Sequence, residues 1–162
     1  MTQQEAETLL ARSFPAVWLD LWAGRNTPAA IGYNLWAKPH NYFSGSQALE
    51  RMVPRLAGLC PLFERNGEAI VGWLPATNHF VELYYEDVRQ GNDAVRVLGR
   101  NYQQFLLSLL LELEDAGMRD EWLELAQAAQ FAHATELVQL LSQDTVDNDA
   151  LKALEDRIGP SA

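Results

Sequence analysis

Three histidines, one cysteine and several close-set carboxylates are the residues of this chain whose types could do chemistry. His40, His79 and His133 are far apart, and none belongs to a metal-ligand spacing such as H-x-x-x-H. They read as structural or surface histidines. Asp144, Asp147 and Asp149 have the look of a calcium loop, but no glycine follows Asp149 and the EF-hand spacing fails. These aspartates suit a turn and the cap of a last helix. Cys60 stands between Leu59 and Pro61 with no basic neighbour to stabilise a thiolate, so an inert buried thiol is expected. The chain has no G-x-S-x-G elbow, no phosphate-binding glycine loop and no dinucleotide fingerprint. Carboxylates pair up at Glu82/Glu86 and among Glu112, Glu114 and Asp115, yet a chain with 22 acids places such pairs by chance. No catalytic residue, metal site or cofactor is expected. An enzyme would need a site assembled from scattered residues.

Two features stand out, each readable as a solvated surface or as a binding surface. One is the acidic concentration Glu112, Glu114, Asp115, Asp120, Glu121 and Glu124, opposed only by Arg119. The other is the alternating run Phe80–Glu86. As a strand it puts Val81, Leu83 and Tyr85 on one face and Glu82, Tyr84 and Glu86 on the other, an aromatic between two carboxylates. Tyrosine is enriched in interface cores, and carboxylates pair with a partner's arginines or lysines. The candidate partner-binding residues are therefore Glu82, Tyr84, Glu86, Glu112, Asp115, Asp120 and Glu121.

The charge reads either as a solubility feature or as a surface matched to a basic partner. Twelve Lys/Arg against 22 Asp/Glu give a net charge of −10 over 162 residues. Residues 1–60 hold five basic and four acidic side chains, so the excess lies wholly in residues 61–162. That segment would repel a phosphate backbone and an anionic membrane surface, which argues against nucleic-acid and membrane partners. The N-terminus lacks the basic and apolar regions of a signal peptide, and one cysteine allows no intrachain disulfide. A cytoplasmic location is expected. The composition, 48% hydrophobic and 21% charged, is that of an ordinary globular domain.

The elements that must position these residues follow from periodicity and punctuation. Residues 3–24 read as helical, with Pro15 inside and Gly24 as a stop. Residues 25–62 read as irregular, with a helix starting near Ser46 that turns Leu49, Met52, Val53 and Leu56 inward and is interrupted by Pro54. Residues 63–99 read as antiparallel sheet: the Asn66-Gly67 turn, then strands 69–74, 80–86 and 94–98. Asn101 with Gln104 resembles a capping box opening a helix on which Tyr102, Phe105, Leu106, Leu109, Leu110 and Leu113 share a face. Leu107 and Leu111 add a second stripe, so this helix is expected to be covered on two sides before Gly117 ends it. Further helices fill residues 118–162. The expected fold is α+β, a small, mostly antiparallel sheet wrapped by helices, with a helical C-terminal extension.

Residues 62–73, Leu-Phe-Glu-Arg-Asn-Gly-Glu-Ala-Ile-Val-Gly-Trp, resemble the segment of SUKH-superfamily proteins in which an Asn-Gly turn leads into the first sheet strands. The strand from Phe80 to Asp87 and the helix opening Asn101-Tyr102-Gln103-Gln104-Phe105-Leu106-Leu107 are similar to that family's closing strand and late helix. The resemblance covers residues 46–117 of a single domain, 1–162, leaving 118–162 as a helical extension. Glu68 stands where members often have a second glycine, and the last 45 residues have no counterpart. The resemblance implies no enzymatic activity and a role as an immunity protein. Such proteins bind and neutralise a cognate bacterial toxin, frequently a nuclease or deaminase, in competition between bacteria. It carries no fixed contact residues. The alternative is a non-enzymatic adaptor or effector chaperone acting through the C-terminal helices.

Overall fold

A computed structural model describes residues 1–25, 27–91, 95–142 and 147–159. Among the described residues the chain forms nine α-helices and five strands. In chain order these are α1 (Gln3–Ser13), α2 (Val17–Ala23), α3 (Ala29–Tyr33), β1 (Trp36–Ala37), α4 (His40–Met52), then one 3-10 turn at Pro54–Leu56. There follow β2 (Cys60–Arg65), β3 (Ala69–Leu74), β4 (His79–Tyr84), α5 (Tyr85–Arg89) and β5 (Arg96–Gly99). The chain closes with α6 (Tyr102–Asp115), α7 (Arg119–Ala128), α8 (Ala134–Leu141) and α9 (Asn148–Arg157). The strands form one antiparallel meander in the order β1-β2-β3-β4-β5. The architecture is α+β, as expected. No helix among the described residues is long and apolar enough to cross a membrane.

The hairpin joining β2 to β3 is set by Asn66 and Gly67, whose φ angles of 50° and 69° are both positive. The Glu68 N–H closes the turn on the Arg65 carbonyl at 2.9 Å. A primed turn of this kind matches the twist of its strands and requires two left-handed residues, which Asn and Gly supply at least cost. β2 is not among the strands expected from the sequence, where residues 25–62 read as irregular. Pro61 argues against a strand interior, and the structure accommodates it at a register shift between Pro61 and Phe63.

Helices cover both faces of the sheet, and this changes the meaning of its alternation. On one face Phe63, Val71 and Phe80 meet α1, α2 and α6 in the main core, which also takes in Trp122, Leu137 and Leu154 from the later helices. On the other, Ile70, Val81 and Leu83 meet Tyr42, Leu49, Val53 and Val88 from α4, the loop after it and α5. Six residues of α6 are buried: Phe105, Leu106, Leu107, Leu109, Leu110 and Leu113. Phe105 stacks on Phe80 with ring centroids 4.6 Å apart. Gly99 permits that closeness at the end of β5, since a Cβ there would sit 2.4 Å from the Phe105 nitrogen.

Some expectations about elements need correction. The helix expected near Ser46 starts at His40, and Met52 is exposed rather than inward. The strand expected over 80–86 stops at Tyr84, because Tyr85 begins α5. The third expected strand runs over Arg96–Gly99; Ala94 lies outside the described residues.

Candidate functional site

Antiparallel register places residues directly opposite one another on the same face of a sheet. One such row is Trp36, Arg65, Ala69 and Tyr84; the next row on that face is Phe63, Val71, Glu82 and Arg96. Helix α6 crosses above them and brings Glu112 over the charged members. Arg65, Glu82, Arg96 and Glu112 then close into a ring of ion pairs. Arg65 reaches Glu82 at 3.1 Å and Glu112 at 2.8 Å; Arg96 reaches Glu82 at 3.2 Å and Glu112 at 3.0 Å. The Arg96 contacts are aligned as hydrogen bonds. Those of Arg65 are at ion-pair distance without that alignment, leaving its Nε and Nη2 and Glu82 Oε1 buried and unbonded. Arg65 also lies over the Trp36 and Phe63 rings, 5.7 and 6.0 Å from their centroids.

The ring is electrically balanced and open on one side. The Glu82 side chain is fully buried, whereas Arg96 is 55% exposed. Burial would lower the Arg96 pKa, but the adjacent Glu112 and Glu82 carboxylates more than offset this and hold it above its ordinary value. Glu82 is therefore not a surface carboxylate, contrary to the reading from alternation. The strand has the expected parity, Phe80, Glu82 and Tyr84 on one face and Val81 and Leu83 on the other, but both faces are covered. Glu86 does not share the Glu82 face either. It lies on α5, exposed, beside Arg89 at 3.5 Å. Tyr84 is the exposed member of the strand face, at 45%.

The acidic corner is partly used inside the molecule. Glu114 accepts from Arg119 and, at 2.7 Å, from the Trp122 indole. Arg119 in turn donates to the Leu141 carbonyl at 2.8 Å, tying α6, α7 and α8 together. The Arg119 hydrogen bond, opposed by burial and helped by Trp122, holds the Glu114 carboxyl below the usual carboxylate range. Glu124 accepts from the Ala29 N–H at 3.2 Å, at the start of α3. Asp115, Asp120 and Glu121 form no ion pair among the described residues. Asp120 and Glu121 sit in the first turn of α7, where the helix dipole favours carboxylates.

Two buried groups were invisible as a pair in the sequence. Glu64, 3% exposed, accepts from the Tyr42 N–H at 2.7 Å and the Tyr85 hydroxyl at 2.6 Å. Burial, with Glu64 beside it, raises the Tyr85 pKa far above that of a free phenol. Cys60 is buried, and desolvation pushes its thiol up to about 12, so it is protonated at neutral pH. Asp147 caps α9 by accepting from the Asp149 and Ala150 N–H groups; Asp144 lies outside the described residues. Among the described residues, no group of three or more His, Cys, Asp or Glu side chains is placed to hold a metal ion. At the opposite end of the sheet from Tyr84, Phe14, Trp73, Tyr102, His133 and Arg157 line an open cleft of about 720 Å³. Its polar groups are largely spent internally: the Tyr102 hydroxyl donates to the Ala129 carbonyl, and Asn101 and Gln103 bond backbone groups.

The structure thus joins the two patches that the sequence presents as separate. Glu82 from the strand and Glu112 from the acidic corner are held by the same two arginines, with Tyr84 two residues along the strand. Arg65 and Arg96 are the members that sequence reasoning missed. The Glu82–Arg96 pair was within reach of a register argument, since β4 and β5 were expected as neighbours. No protein-family model, curated protein or solved structure matches the chain.

Proposed function

We propose that this protein is an immunity protein of the SUKH type, which binds a cognate bacterial toxin domain with a basic surface and neutralises it by occlusion. One observation carries the reading: the acidity is left over after internal pairing. Of the seven basic residues in 61–162, Arg65, Arg89, Arg96, Arg119 and Arg157 are each tied to a glutamate of the same chain. Their charge is unavailable to offset the remaining carboxylates. Asp115 and Asp120 are exposed and Glu121 partly so, and they carry part of that excess at the junction of α6 and α7. Toxin domains that act on nucleic acid carry basic surfaces, and such a complement speeds encounter more than it strengthens the final complex. The Glu82 charge plays no direct part, since it is sealed in the ring.

The test is titration against the product of the gene adjacent to its own, followed by calorimetry and by the toxin's activity. Saturable binding that abolishes activity supports the reading, and charge reversal at Asp120 and Glu121 should slow association. A toxin that stays active in saturating protein overturns it. The alternative, an adaptor or effector chaperone, is favoured by the cleft beside α9. It predicts binding that survives charge reversal and is lost on Trp73→Ala.

A further inference from the structure

We infer that the end of the sheet at the β2–β3 hairpin is the surface that meets the toxin, with Leu35 and Tyr84 as its apolar anchors and a basic-rimmed apolar patch on the toxin as occupant. The inference rests on the immunity reading and deepens it. Leu35 is the starting point. Its φ of 52° is in the left-handed region, where a Cβ crowds the backbone and a bulky residue is an outlier. Its side chain is also 58% exposed. Neither backbone preference nor burial accounts for a leucine there, whereas glycine or asparagine would take the bend at lower cost. Backbone outliers held by their surroundings cluster at functional sites.

The bend is held from both sides. The Leu35 N–H donates to the Gly32 carbonyl at 3.2 Å, and the Leu35 carbonyl accepts from Asn66 at 3.0 Å. From Asn66 the contacts continue across the hairpin tip. Asn66 Nδ2 donates to the Glu68 carboxylate at 3.3 Å, and the Glu68 carbonyl accepts from the Tyr85 N–H at 2.8 Å. Leu35 precedes Trp36, and Trp36, Arg65, Ala69 and Tyr84 form a single row on one face. Trp36 and Ala69 in that row are buried; Tyr84 is exposed at its β4 end, and Leu35 is exposed beside its β1 end. The charge between them is one-sided. Arg65 is consumed by Glu82 and Glu112, while Glu68 is exposed and forms no ion pair among the described residues. Two apolar anchors flanking a carboxylate complement an apolar recess rimmed by lysine or arginine.

The experiment compares wild type, Leu35→Gly, Leu35→Asn, Tyr84→Ala and Val97→Ala for affinity to the adjacent-gene toxin and for thermal midpoint. Val97 is exposed on β5, on the other face of the sheet and away from the hairpin, and should bind as wild type. Leu35→Gly and Leu35→Asn should keep or raise the midpoint, because they relieve the backbone, yet bind at least tenfold more weakly through faster dissociation. Tyr84→Ala should weaken binding by a similar factor. Wild-type affinity in both Leu35 variants and in Tyr84→Ala overturns this surface and leaves the immunity reading standing. Absence of binding by wild type overturns both.

Discussion

Glu82 has no exposed side-chain surface, so its charge depends wholly on Arg65 and Arg96. Removing that charge leaves two guanidinium groups sharing only Glu112, one of them largely out of water. Breaking a buried pair costs about 3–5 kcal/mol, and the half-exposed Arg96 lowers that figure here. Glu82→Gln should therefore destabilise the fold by about 3 kcal/mol in denaturant unfolding, while Asp115→Asn should stay within about 0.5 kcal/mol. Equal effects would mean that the ring is no more than a surface pair. Glu114 carries a pH signature. Its folded carboxyl titrates below the unfolded value of 4.5 because Arg119 and Trp122 bond the charged form. Its contribution is therefore complete above the unfolded pKa and is lost as pH falls through the folded one. Wild type should lose stability more steeply than Glu114→Gln as pH drops below 4.5. Parallel curves would remove Glu114 from the acid transition.

Among the elements, Asn101 links the start of α6 to the end of α9, beside Gln104 Nε2, which donates to the Glu155 carbonyl at 3.4 Å. Asn101 Oδ1 caps α6 by accepting from the Gln104 N–H at 2.9 Å, and its Nδ2 donates to the Ile158 and Gly159 carbonyls at 2.7 and 3.0 Å. Asn101→Ala removes both ends of that link and should cost about 1–2 kcal/mol. Asn101→Asp keeps the cap acceptor and loses the donors. Both variants should speed hydrogen exchange across Asn148–Arg157, and only Asn101→Ala should loosen the first turn of α6. Unchanged exchange in α9 would separate the two helices. The cap was legible because Asn followed by Gln three residues on is a local signal. The second half of the box was not: Gln104 accepts from the Arg100 N–H rather than from Asn101. Legibility failed wherever a distant partner decides the outcome. Alternation gave the parity of Phe80, Glu82 and Tyr84, but α6 decides that this face is covered. Pro61 hid β2 because its cost is relieved by a bulge that depends on β3. Leu35 carries no local mark of a left-handed bend, since the Gly32 and Asn66 contacts impose it.

For the molecule as a whole, the same charge should act in opposite directions on stability and on association. A net charge of −10 repels itself in the folded state, and that repulsion is between exposed groups. Raising salt from about 50 to 500 mM shortens the Debye length from roughly 14 to 4 Å and screens it. The ring of Arg65, Glu82, Arg96 and Glu112 is screened less, because Glu82 is fully buried and Arg65 is only 21% exposed. Thermal stability should rise with salt. Encounter with a basic toxin depends on the unscreened field of the same carboxylates, so the association rate should fall over that range while dissociation changes little. Thermal scans and stopped-flow association at matched salt concentrations measure the two together. A fall in both would mean that exposed ion pairs such as Arg157–Glu136 hold the fold more strongly than self-repulsion opposes it. An association rate indifferent to salt would leave the acidity without a role in steering and place recognition on the apolar contacts of Leu35 and Tyr84.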